Sequence, residues 1–227
     1  MNIGFLLFPK LTLLDLVGPS EVFVRVPGAK VHLVWKTRDL VSCSGQLVQP
    51  STTFAECPPL DVLCVPGGAG QVDLMEDEET LDFLRKQGAQ AKWMTSVCTG
   101  SLILAAAGLL TGYRATCHWA SLEQLACFEG VTPVDERVVI DRNRVTGGGV
   151  TAGIDFALTL VAKMCDEELA RAIQLMMEYD PQPPFPGGSP KSADPALVAK
   201  LRVQMEGFVA TRRAVSERVA AKQRKTR

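Results

Sequence analysis

The chain of 227 residues is 47% hydrophobic and 22% charged, with a formal net charge of −1, which argues against both a disordered chain and a membrane-spanning one and leaves no whole-protein attraction to nucleic acid. A chain of this length buries roughly 70% or more of its unfolded surface and folds without covalent staples. Its seven cysteines, at positions 43, 57, 64, 98, 117, 127 and 165, contain no CxxC pair, and there are two histidines, His32 and His118; this pattern fits reduced thiols and offers no zinc ligand set.

The chain opens with MNIGFLLFPK, an apolar run with no basic n-region or cleavage signature and far too short to cross a bilayer. It reads as a strand, Asn2 to Phe8, of a cytoplasmic protein. A helix is expected from Asp15 to Val24, then strands at Lys30 to Trp35 and Val62 to Val65. A second helix spans Glu78 to Gln87, followed by a strand at Lys92 to Val97 and a helix from Ser101 to Gly108. Further along come a helix at Ala120 to Leu125, strands at Val138 to Asp141 and Arg144 to Thr146, and helices at Ala152 to Met164 and Asp166 to Tyr179.

Continuous apolar runs such as DVLCVPGG mark strands covered on both faces, and strands alternating with helices imply βαβ units. The expected fold is α/β, a flavodoxin-like three-layer sandwich with a mostly parallel central sheet. DPQPPFPGGSPKSADP, after Tyr179, cannot continue a helix and is expected to run over the surface. This divides the chain into a core of residues 1–188 and an extension of residues 189–227, where Leu197, Leu201, Met205, Phe208, Val215 and Val219 trace an amphipathic terminal helix. Nine Lys/Arg against two Glu from Lys200 onward read as a solvated face rather than a nucleic-acid site, since one helix does not make a helix-turn-helix.

A doubly wound sheet places its chemistry beyond the carboxyl ends of its strands, where three junctions qualify: LLFPKLTLLDLVGP, VPGGAGQ and TSVCTGS. In the last, a strand stops at Val97, Cys98 takes the corner and a small-residue helix begins at once, the layout of a nucleophile elbow. The helix N-terminal amides there favour a thiolate. Gly67 and Gly68 bring bare backbone beside this elbow, and the amides of Gly68 and Thr99 are expected to form an anion-stabilising pair. Asp15, in leucine-rich surroundings, is either a helix cap or a carboxyl whose pKa burial raises until it carries a proton to donate. The other six cysteines read as packing, and His118 as a hydrogen-bonded structural histidine rather than a base.

Together LDLVGP, VPGG, TSVCTGSLILAAAGLL, ATCHWAS, VIDRNRVTGGGVTAGIDFALTLV and EYDPQPPF resemble the DJ-1/PfpI superfamily over nearly the whole chain, in particular its isonitrile-hydrating branch. The resemblance implies Cys98 as nucleophile and Asp15 as general acid/base. It places the Thr99 backbone in the substrate site, with Gly67 and Gly68 nearby and Gly148 and Thr151, of the glycine run and its flank, lining or flexing at the same pocket. It also implies a cofactor-free homodimer without metal, acting on a small-molecule isonitrile by way of a thioimidate to give an N-substituted formamide. Protease and deglycase members resemble one another in having His after the cysteine and Glu at the acid position; Thr99 and Asp15 stand here and disfavour those activities.

The alternative is a non-catalytic ligand or redox sensor, since AraC-type regulators resemble this chain in their sensing domain. Such a regulator needs a DNA-binding domain of about 100 residues, and 39 follow Gly188, so the reading favours the enzyme.

Overall fold

A computed structural model describes residues 1–225; Thr226 and Arg227, the end of the basic tail, lie outside them. In chain order the strands are β1 (Asn2–Leu6), β2 (Lys30–Trp35), β3 (Val41–Cys43), β4 (Gln46–Val48), β5 (Thr52–Thr53), β6 (Val62–Val65), β7 (Trp93–Val97), β8 (Arg114–Ala115), β9 (Thr132–Pro133), β10 (Val138–Asp141) and β11 (Arg144–Gly147). The helices are α1 (Leu13–Phe23), α2 (Gln71–Leu74), α3 (Glu78–Gly88), α4 (Gly100–Ala106), α5 (Ala152–Met164), α6 (Glu167–Met176) and α7 (Pro195–Lys225).

Seven strands form the main sheet in the order β10-β11-β7-β6-β1-β2-β5. Every pairing in it is parallel except β10 against β11. Its central strands are buried on both faces: all four residues of β6 are inaccessible, as are Ile3, Phe5 and Leu6 of β1, as a parallel sheet covered by helices requires. On one face α1 crosses α5 closely because Gly18 faces Ile154 and Gly153 faces Pro19, and Phe23 bridges Phe5 and Phe156 at ring distances of 6.2 and 6.1 Å. On the other face lie α2, α3, α4 and the C-terminal part of α7.

Local chemistry sets several boundaries. Asp77 caps α3 by accepting from the Thr80 amide at 3.3 Å, and Asp166 caps α6 by accepting from Leu169 at 2.7 Å. Asp194 accepts from Ala196 and Leu197, so α7 begins with Pro195 at its first helical position. The expected helix at Ala120 to Leu125 is instead a 3₁₀ segment, Leu122–Cys127. The stretch 180–190 has no buried residue and neither helix nor strand.

The terminal helix is two things in succession. Leu197 and Leu201 of its stripe are exposed. Its second half docks, burying Arg212, Val215, Ser216, Val219 and Ala220. Gln223 donates to the Ala105 and Ala106 carbonyls at 3.0 and 2.6 Å, satisfying acceptors at the end of α4, and Arg218 grips Glu76 through two bonds of 2.8 and 2.7 Å.

Candidate active site

Between β7 and α4 the chain turns in two residues. Cys98 adopts φ 56°, in the left-handed region that a non-glycine residue occupies only where its surroundings enforce it. Two contacts enforce it. The Cys98 amide donates to the Gly147 carbonyl of β11 at 3.0 Å, and Gly100, the first residue of α4, presses on the end of β6, where an added Cβ would lie 1.9 Å from the Val65 carbonyl oxygen.

The β6 loop interlocks with both neighbours. The Thr12 amide donates to the Gly67 carbonyl at 3.0 Å, and the Gly67 amide donates to Asp15 Oδ2 at 2.8 Å. Asp15 is fully buried, and Oδ1 has no partner of hydrogen-bonding geometry among the described residues. Burial raises its pKa to about 7, against the opposing pull of the Gly67 amide and then of the Cys98 thiol beside it. Asp15 is thus no helix cap: Thr12 precedes α1, and the Asp15 carboxyl turns inward to the loop.

The Cys98 thiol departs from the expectation of a depressed pKa. Burial raises it well above the ordinary thiol value, and the charges on Asp15 and Cys117 add to this. The Thr99 amide and the Arg212 guanidinium act the other way. With Cys98 only 5% exposed, desolvation outweighs the helix N-terminus.

Gly68 also differs from expectation. Its amide donates to Thr99 Oγ1 at 3.1 Å and so anchors the Thr99 side chain instead of standing open beside the Thr99 amide. Gly68 has φ 139°, and a Cβ there would meet the Thr12 amide nitrogen at 2.5 Å, so only glycine fits.

Cys98 helps line a cavity of about 200 Å³ whose wall is Thr12, Gly68, Ala69, Cys98, Thr99 and His118, then Ala120, Val150, Met205, Phe208, Val209 and Arg212. The last four come from α7. His118 Nδ1 accepts from the Ala120 amide at 3.3 Å, which leaves Nε2 to carry the proton. Burial, and then the Arg212 charge, lower its pKa and keep it neutral. The described residues hold no cluster of three His, Cys, Asp or Glu suited to a metal.

Of the residues read from sequence, Cys98, Asp15, Thr99, Gly67 and Gly68 come together. Gly148 is buried but its amide is spent on the Arg137 carbonyl at 2.9 Å. Thr151 is exposed, with Oγ1 accepting from Arg137 at 3.3 Å, and is absent from the cavity wall. The glycine run reaches the elbow through Gly147 instead. Missed as site residues were Val150 and, from α7, Met205, Phe208, Val209 and Arg212. Arg212 left a signal: it falls on the apolar stripe between Phe208 and Val215.

Residues 1–163 match the profile of the DJ-1/PfpI family. The chain belongs to the DJ-1/PfpI family. Over 225 residues it is 54% identical to the isonitrile hydratase of Pseudomonas putida, a match covering 98% of this chain and 97% of that one. The HTH-type transcriptional regulator GbdR of Pseudomonas aeruginosa is 34% identical over 188 residues, 79% of this chain and 51% of the regulator. Among solved structures, a THiJ/PfpI family protein from Pseudomonas syringae superimposes with a TM-score of 0.92 at 46% identity, covering 95% of this chain and 90% of the other. Drosophila melanogaster DJ-1beta, at 24% identity and TM-score 0.71, covers 78% of this chain and shares the DJ-1/PfpI fold.

Proposed function

We propose that this DJ-1/PfpI protein is an isonitrile hydratase in which Cys98 is the nucleophile and Asp15 the proton carrier. The observation that carries the reading is a buried carboxyl with pKa about 7 beside a buried thiol, in a chain matched nearly end to end by the Pseudomonas putida hydratase. A group with its pKa near the working pH both gives and takes protons, as this reaction requires.

In the first step the Cys98 thiol proton passes to Asp15 and the sulfur attacks the terminal carbon of R–N≡C. The S–C bond forms as Asp15 returns the proton to that carbon, giving the thioimidate R–N=CH–S–Cys98. Asp15, now ionised, takes a proton from water as the hydroxyl adds to the same carbon, and passes it to nitrogen. In the last step the hydroxyl proton leaves through Asp15, the C–S bond breaks to release R–NH–CHO, and the proton restores the thiol pair. One water is consumed and no redox change occurs.

Thr99 positions this chemistry through its amide, which acts on the sulfur, and its hydroxyl, which is held by Gly68. The Met205, Phe208, Val209 and Val150 walls suit an apolar N-substituent. No cofactor enters these steps. The protein works in the cytoplasm and as a homodimer, the dimer in keeping with the exposed Leu14 and Val17 on α1 and Val24 at its C-terminal cap.

The test is formamide release from cyclohexyl isonitrile by the wild type, Cys98→Ala and Asp15→Asn, with light scattering on the same samples to read the dimer. Wild type turns over and both variants are inactive; formamide from Cys98→Ala at the wild-type rate ends the proposal. The likeness to GbdR favours one second reading, a ligand sensor. That reading requires the isonitrile to be bound and recovered unchanged.

A further inference from the structure

Arg212 takes no part in the steps above, yet it is the exceptional residue of α7. It is 5% exposed, while its buried neighbours on that helix are Val215, Ser216, Val219 and Ala220. Its guanidinium stacks 4.4 Å from the Phe208 ring centroid, Nη1 donates to Ser121 Oγ at 2.6 Å, and Nε is buried with no hydrogen-bond partner among the described residues. Among the described residues no carboxylate acts on it; the groups whose charge does are the Cys117 and Cys98 thiols.

A buried charge is ordinarily paired, or neutralised by a shifted pKa, and arginine is not neutralised in proteins. A guanidinium kept in this state therefore points to an anion that forms in the site. The groups that face Cys98 are Asp15 from α1, Cys117 from the loop after β8, and Arg212 from α7; those that face Arg212 are Cys98, Cys117 and His118. Asp15 already has the Gly67 amide. Cys117 is fully enclosed, with its pKa pushed up to about 11, and does not line the cavity. Cys98 lines the same cavity as Arg212.

We infer that Arg212, carried into the cavity by the C-terminal helix, is the positioning residue that stabilises Cys98 as a thiolate once its proton has passed to Asp15. This rests on the reading of Cys98 as the nucleophile. It resolves a difficulty in that reading, because burial holds the thiol protonated and some group has to offset it. The sense of the Arg212 charge at Cys98 agrees. Ser121 fixes the guanidinium from one side and Phe208 from one face. Since α7 lies beyond residues 1–163, the charge at the sulfur comes from outside the part of the chain matched to the family.

The measurement is the rate at which Cys98 is alkylated by iodoacetamide between pH 6 and 10, with the modified cysteine located by mass spectrometry. It is made on full-length wild type, Arg212→Met, Arg212→Lys and Ser121→Ala, with the thermal midpoint of each. Arg212→Met is expected to move the alkylation profile up by about one pH unit and to slow the reaction about tenfold at pH 8. Arg212→Lys restores much of the rate, Ser121→Ala falls between, and the midpoint of Arg212→Met does not drop, since an apolar residue replaces a buried unpaired charge. A wild-type profile in Arg212→Met overturns the inference and leaves the hydratase reading standing. So does equal slowing in Met and Lys variants with lowered midpoints, which makes Arg212 a packing residue. Wild-type protein alkylated elsewhere but never at Cys98 removes the nucleophile itself, and both readings with it.

Discussion

Gly67 sits between Thr99 and Asp15, the carboxyl proposed to carry the proton. A Cβ added there would stand 2.6 Å from the Thr99 amide nitrogen, 2.7 Å from Thr99 Oγ1 and 3.0 Å from Asp15 Oδ2, so a single methyl has to push the acid and the helix terminus apart. Gly149, two residues past the Cys98 contact on β11, has nothing within 4 Å of its virtual Cβ. Gly67→Ala is therefore expected to lower kcat/KM for isonitrile hydration about 100-fold, the cost of misplacing a reacting group by about 1 Å, whereas Gly149→Ala stays near wild type. Equal losses in both would mean that the spacing of Asp15 and Thr99 does not matter. At this scale the sequence was informative where a residue type contradicted its surroundings: a cysteine at a corner, an aspartate among leucines, paired glycines after a strand. It was silent where the decisive fact was a partner, as with Gly68, whose amide is engaged by a side chain 31 residues away.

Strands of the main sheet were legible as runs rich in apolar and β-branched residues, unbroken in β6, which is buried on both faces, and interrupted in the half-buried β2 and β10; all three begin and end where the sequence reading put them. The short strands β3, β4, β5, β8 and β9 carry no such run and were not read. Helix α7 was legible as an amphipathic stripe but not as a part of the site, since the stripe records which face is apolar and not what it covers. The closeness of α4 to β6 was also hidden, and it sets the elbow. With Gly100 against the Val65 carbonyl at 1.9 Å from a virtual Cβ, and 2.7 Å from the Pro66 carbonyl, α4 cannot keep its place if any side chain is added. Gly100→Ala is expected to destabilise the protein by about 3 kcal/mol, as overpacking against fixed backbone does, lowering the thermal midpoint by about 6 to 12 °C. A midpoint unchanged within error would show that α4 slides freely along the sheet and that the elbow is not braced by this contact.

Over the whole molecule the parallel order β11-β7-β6-β1 lays four strand ends side by side, and from these ends come Gly147, Cys98, Gly67 and the loop leading to Asp15. That is why three junctions far apart in sequence form one site, and why their convergence was predictable from the alternation of strands and helices alone. The convergence also costs stability in a way that depends on pH. Asp15 titrates at 3.8 when unfolded and at about 7 when folded, because burial disfavours its ionised form. Between those values the native state keeps a proton that the unfolded chain has released, so raising the pH pulls the equilibrium toward unfolding by about 1.4 kcal/mol per unit. The loss totals roughly 4 kcal/mol by pH 7 and stays constant above it. Asparagine keeps an acceptor for the Gly67 amide and has no charge to desolvate. Compared in a Cys98→Ala background, which removes the neighbouring thiol from the titration, Asp15→Asn is expected to melt about 2 to 4 °C above its parent at pH 4.5, where roughly 1 kcal/mol of the loss has already accrued. At pH 8 the asparagine variant is expected to melt about 8 °C or more higher. Other carboxylates titrate alike in both proteins and drop out of the difference. A gap of constant size across this range would mean that Asp15 is ionised in the folded protein as it is in the unfolded chain, and would remove the folded pKa near 7 that suits it to both take and give a proton.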